Sequence, residues 1–123
     1  MKYKFIVLLV SLSAFGLVSC VSDIEEEIAP ASFTCDTEGV TFSGTVLPLI
    51  EANCYQCHDA ATRTSGVNLE GYDNIKARAV TGQLVGVISH APGFAQMPKN
   101  RAQLPTCDIE SIKKWIEDGT PQN

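Results

Sequence analysis

The chain has 123 residues, 45% of them hydrophobic, and fourteen acids against nine bases give it a formal net charge of −5. That balance lacks the basic footprint of a nucleic-acid binder, and with the secretion signal described below it argues against nucleic acid as a partner. With the first 32 residues set aside, about ninety remain, a length whose apolar core is marginal without a disulfide, a metal or a bound group to reinforce it.

Lys2 and Lys4 precede an uncharged apolar run from Phe5 to Val18, the layout of a secretion signal. The run falls short of the ~20 residues that cross a bilayer as a helix, so a retained transmembrane anchor is the poorer reading. It ends in Leu17-Val18-Ser19-Cys20, which resembles the lipobox of bacterial lipoproteins: aliphatic and small residues before the cysteine that becomes the lipidated N-terminus. Ordinary cleavage after small residues is the alternative. Lipidation would make residues 1–19 a signal peptide and tie Cys20 to a membrane. Val21 follows where inner-membrane retention signals carry Asp, which favours the outer membrane, facing the periplasm or the cell surface. Residues 20–32 read as an acidic tether. Positions 21–32 hold four acids and no base, and positions 33–123 hold ten acids and seven bases, so the two segments carry −4 and −3. The tether would hold a domain of residues 33–123 off the lipid.

Within that domain, Val46, Leu49 and Ile50 recur at helical spacing. They predict a helix that starts near Ser43 or Thr45 and runs toward Cys54, with Pro48 tolerable only in its first turn. Leu69, Tyr72 and Ile75 predict a short helix through Ala79, and Leu84, Val87 and Ile88 another after Gly82. Ile109, Ile112 and Ile116, with Trp115 beside them, mark the clearest helix. Thr106 or Asp108 is expected to cap it, and Gly119 with Pro121 to stop it. Trp115 reads as a core residue or as packing against the edge of a bound group. No strand-rich segment or internal repeat stands out, so the predicted class is all-α.

Cys54-Tyr55-Gln56-Cys57-His58 carries the chemistry. Two thiols three positions apart with a histidine directly after form the pattern of covalent haem attachment, in which both sulfurs meet the haem vinyl groups and the imidazole reaches the iron. Two other uses compete. A thioredoxin-like dithiol would need a βαβ setting, and a structural zinc site would need two more ligands, which Cys35 and Cys107 can supply in principle. For a haem held by His58, the candidates for the second axial position are Met97 and His90, or the site stays open. Met97 precedes Pro98, which biases it into extended backbone fit to aim a thioether at a planar group. Pro92-Gly93-Phe94 is expected to help shape that loop. His90 reads more simply as a satisfied helix-end residue or a hydrogen-bond donor near a propionate. Lys99 and Arg101, with Arg63 and Lys76 or Arg78, are candidates to line the exposed haem edge, the alternative being ordinary solvated charge.

Five cysteines are an awkward count for a secreted protein. With Cys20 assigned to lipid and Cys54 and Cys57 to haem, Cys35 and Cys107 remain, and an oxidising compartment would pair them. The bond would join the segments before the first and last helices and close a loop worth about 4 kcal/mol on the chain-entropy model. Two free thiols are the alternative.

A helix into Cys-x-x-Cys-His, two short helices, a Met-Pro loop and a closing helix with a Trp-Ile pair resemble, in that order, the class I monohaem cytochromes c. The likeness covers residues 33–123. The tracts Val46 to His58, Met97-Pro98 and Ile112 to Pro121 look especially like small bacterial lipoprotein cytochromes c. The resemblance implies a small fold of short helices around haem c, thioether bonds to Cys54 and Cys57, His58 as proximal and Met97 as distal iron ligand. It also implies single-electron transfer to redox protein partners, with no substrate transformed by the chain itself. It further implies that the first and last helices cross, with Trp115 near the helix of Ile50. A haem enzyme or small-ligand sensor with an open distal site is the alternative function.

Overall fold

The computed structural model describes residues 34–123, and all of their regular structure is helical. The expected signal peptide, Cys20 and the acidic tether lie outside the described residues. The helical class expected for the domain holds, with no strand among the described residues.

Helical backbone begins slightly earlier than the apolar spacing alone indicates. Thr41 is the cap residue, its Oγ1 accepting the Gly44 N–H at 3.0 Å. A π-helical turn, Phe42–Val46, then leads directly into α1, Leu47–His58. Pro48 explains the wide turn. In an unbroken α-helix its ring would press on the carbonyl four residues back. Instead the Val46 and Leu47 N–H groups reach five residues back, to Thr41 and Phe42, and the ring is accommodated where the helix is widest. The Phe42 and Ser43 N–H groups are bonded by Asn123, through its side-chain and main-chain oxygens at 2.8 and 2.9 Å.

Leu69 departs from expectation. It lies ahead of α2, Tyr72–Val80, rather than in it. Gly71, at φ +89°, turns the chain there in a conformation that a side chain resists. Leu69 is buried all the same, and its N–H donates to the His58 carbonyl at 2.7 Å, closing the end of α1. Gly82, at φ +74°, separates α2 from α3, Gln83–Ile88. The last helix, α4, covers Thr106–Glu117. Neither Thr106 nor Asp108 caps it: Pro105 holds the cap position with no side-chain bond. The chain enters α4 from Leu104, which is buried and donates its N–H to Ile88 O at 3.2 Å.

Each helix sends its apolar stripe to one core. Ile50 of α1, Ile75 of α2, Ile88 of α3, and Ile112 and Trp115 of α4 are fully buried, each worth roughly 1.5–3 kcal/mol of transfer free energy. Trp115 meets the leading turn of the first helix, its ring centroid 5.6 Å from that of Phe42. Ile50 belongs to the same cluster. The Trp115 indole N–H donates to Pro121 O at 2.9 Å. Cys35 and Cys107 form a disulfide with Cα atoms 5.1 Å apart. Cys107 sits inside the first turn of α4, not before the helix as expected.

Candidate functional site

Because α1 continues through the cysteine motif to His58, Cys54, Cys57 and His58 occupy positions i, i+3 and i+4. That spacing puts all three on one face. The face closes one side of a cavity of about 540 Å³, within the range of small-molecule and cofactor sites. Val67 and Leu69 follow α1 along the wall, and Leu84, Val87 and Ile88 of α3 with Leu104 continue it. Met97 lines the same cavity from the loop between α3 and α4.

Both motif thiols are free, Cys54 half-buried and Cys57 exposed. Burial, and secondarily the neighbouring Cys57, push the Cys54 thiol up to about 11, so it stays protonated at neutral pH. His58 is buried, and its Nδ1 has no hydrogen-bond partner. A purely structural buried histidine ordinarily has its ring bonded, so an uncommitted imidazole facing a cavity suits a ligand. Beyond His58 the chain turns sharply. Asp59 Oδ1 accepts N–H bonds from Thr62 at 2.6 Å and Ala61 at 3.1 Å, and the Thr62 backbone bond foremost holds the Asp59 carboxyl below its ordinary value.

The two candidates for a second axial position are placed differently. Met97 reaches the cavity, whereas His90 is not among the residues lining it. The His90 Nε2 lies 3.2 Å from Met97 O. A carbonyl only accepts, so Nε2 carries the hydrogen. Of the candidate edge cations, Arg78, Lys99 and Arg101 line the cavity and Arg63 and Lys76 do not. Lys76 turns to Tyr72, its Nζ bonding the phenol oxygen at 3.1 Å. Among the described residues, no Asp or Glu lines the cavity.

Sequence reasoning missed Leu104 as a wall residue and missed the seat of Phe94. A Cβ on Gly86 would come within 2.5 Å of the Phe94 ring, so only glycine leaves room for it. A glycine inside a helical pattern was the available signal.

The competing uses of the motif find less here. Cys35 and Cys107, the further ligands a zinc site would need, are bonded to each other. Among the described residues no three His, Cys, Asp or Glu side chains gather as a metal-ion site. A βαβ setting is absent among the described residues. Nor, among them, is any helix long and apolar enough to cross a membrane.

The donor set fits haem c: two thiols and an imidazole on one face, a thioether on the loop, an apolar wall, and cations at the mouth for carboxylates. Comparison of the chain with family models, with curated proteins and with solved structures finds no match.

Proposed function

We propose that residues 33–123 are a small c-type cytochrome domain that carries single electrons between redox proteins outside the cytoplasm. The reading rests on one observation: Cys54, Cys57, His58 and Met97 line a single apolar cavity. Haem c bound there would supply one-electron exchange between ferrous and ferric iron. Cys54 and Cys57 would hold it covalently, His58 would bind the iron as proximal ligand and Met97 as distal ligand. Thioether sulfur is a neutral donor that raises the reduction potential relative to a second imidazole. Leu69, Leu84, Ile88 and Leu104 would keep water from the bound group, and the same apolar shell favours the less charged ferrous centre. The chain itself transforms no substrate, and its encounters with redox partners would be small and brief, as such encounters are.

In this reading residues 1–19 direct secretion. Cys20 carries the lipid, and the acidic segment to residue 32 spaces the domain from the outer membrane, on its periplasmic or outer side. The covalent pair also answers the size problem, since a domain of about ninety residues gains core from a bound group.

The deciding measurement is a reduced-minus-oxidised visible spectrum, with an intact mass under denaturing conditions, on protein from cells that mature cytochromes c. A c-type spectrum and a haem mass adduct that survives denaturation are expected. Their absence sinks the proposal. CO binding by the ferrous wild-type protein would instead favour a haem enzyme or sensor with an open distal site.

A further inference from the structure

Met97 sits in the long irregular segment between α3 and α4, where its side chain has no helix to aim it. Two backbone bonds do that work instead. The Met97 N–H donates to Val87 O at 3.0 Å, and the Met97 carbonyl receives His90 Nε2–H at 3.2 Å. His90 is itself hung from the end of α3, its N–H directed to Val87 O at 3.4 Å. Its backbone lies at φ +53°, a region in which a residue other than glycine is uncommon. Such conformations persist where surrounding contacts over-determine them. Here the turn is what lets the imidazole reach back across seven positions to the residue that lines the cavity.

We propose that His90 is a positioning residue: its Nε2–H bond to the Met97 carbonyl keeps the Met97 side chain turned toward the cavity. The inference rests on the reading of Met97 as distal iron ligand. With the N–H before its Cα and the carbonyl after it both pinned, the Met97 backbone has a fixed orientation relative to α3. Val87, the acceptor of its N–H, also lines the cavity wall. With the carbonyl released, the residue is held only through its N–H, and rotation about its backbone torsions can carry the thioether away. His90 therefore contributes to ligation without touching the iron.

The test compares His90→Leu, His90→Gln and His90→Glu with the wild type, as full-length protein carrying haem. Leu removes the donor. Gln retains an N–H at similar reach, and Glu has the shape of Gln but, ionised, has no hydrogen to give. The readouts are the far-red sulfur-to-iron charge-transfer band of the ferric form, CO binding by the ferrous form and the reduction potential. Leu and Glu are expected to lose most of the band, to bind CO and to fall in potential, and Gln to keep most of the wild-type behaviour. If Leu fails to accumulate, the Gln and Glu pair decides alone. A haem-bearing wild type whose Leu or Glu variant keeps the full band and excludes CO overturns this inference and leaves the proposed function standing. A Gln variant as impaired as Glu also overturns it. A wild type with no covalent haem overturns both.

Discussion

The ring of Phe94 rests on the backbone of Gly86, closely enough that a Cβ at Gly86 would lie 2.5 Å from Phe94 Cδ1. Gly86 is buried inside α3, and its carbonyl also accepts the Ala91 N–H at 3.0 Å. One glycine thus seats both the entry and the aromatic of the loop that leads to Met97. Gly86→Ala should force the ring off its seat and cost about 1–3 kcal/mol, the usual penalty of overpacking. In a Phe94→Ala background the obstacle is gone, and alanine should stabilise α3 by up to ~1 kcal/mol on helix propensity. A double-mutant cycle by urea unfolding checks this. Equal costs of Gly86→Ala in both backgrounds would show that the ring does not determine the glycine.

The Cys35–Cys107 disulfide closes a separation of 72 residues and ties the segment before the first helix to α4. Cys35→Ser with Cys107→Ser should lower stability by about 4 kcal/mol if the loss is mainly chain entropy in the unfolded state. Because Cys54 and Cys57 take no part in the pairing, haem attachment should persist in the double variant. Guanidinium unfolding reads the first expectation and intact mass the second. A doubly substituted protein as stable as wild type would show that the bond is dispensable to the fold.

The C-terminal segment is pinned by four bonds, two of them from the π-helical turn that leads into α1. Tyr72 Oη–H donates to Thr120 O at 2.7 Å, Trp115 Nε1–H to Pro121 O at 2.9 Å, and Asn123 accepts from Phe42 and Ser43. Tyr72→Phe keeps the ring against Phe42, 5.1 Å between centroids, but leaves the Thr120 carbonyl without its donor. The expected cost is about 1–3 kcal/mol, a fall of several degrees in Tm for a domain of this size. Amide exchange should locate the effect, with Phe42 and Ser43 exchanging faster while Ile75 does not change. Uniform acceleration across the domain would contradict the local reading.

The helices were legible where apolar residues repeat at one phase, as at Ile109, Ile112 and Ile116, because burial of a stripe dictates that spacing. Leu69 shares such a phase without being helical. Its phase matches Tyr72, yet Gly71 breaks the helical path between them, and the core takes Leu69 from the irregular segment before α2 instead. At the start of α4 the polar Thr106 and Asp108 stand beside the boundary, but Pro105, whose fixed φ already starts the turn, holds the cap position. At the site, Cys54, Cys57 and His58 could be grouped from one helix, since i, i+3 and i+4 share a face. Their meeting with Met97 depends on how a long loop folds back onto α3, and no local pattern encodes that. The cations show the limit at finer scale. Lys76 and Arg78 are two positions apart on α2, so one turns to Tyr72 and the other to the cavity.

Arg78, Lys99 and Arg101 line the cavity with no carboxylate of the described residues beside them, in a domain segment whose formal charge is −3. The ion pairs of the described residues lie elsewhere, on and just beyond α4, where Lys113 meets Glu110 and Lys114 meets Asp118. The mouth is therefore locally positive against an acidic background, and charge at that range steers encounters more than it binds. If electrons leave the bound haem through this mouth, Lys99→Glu with Arg101→Glu should slow reaction with a small anionic oxidant and speed reaction with a cationic one. A change on the order of tenfold at low salt is expected for two reversals beside the exit. The contrast should shrink as salt shortens the screening length to about 8 Å near physiological strength. Stopped-flow oxidation of the ferrous protein by one reagent of each charge measures it. Equal effects on both reagents would put the point of electron exit away from Lys99 and Arg101.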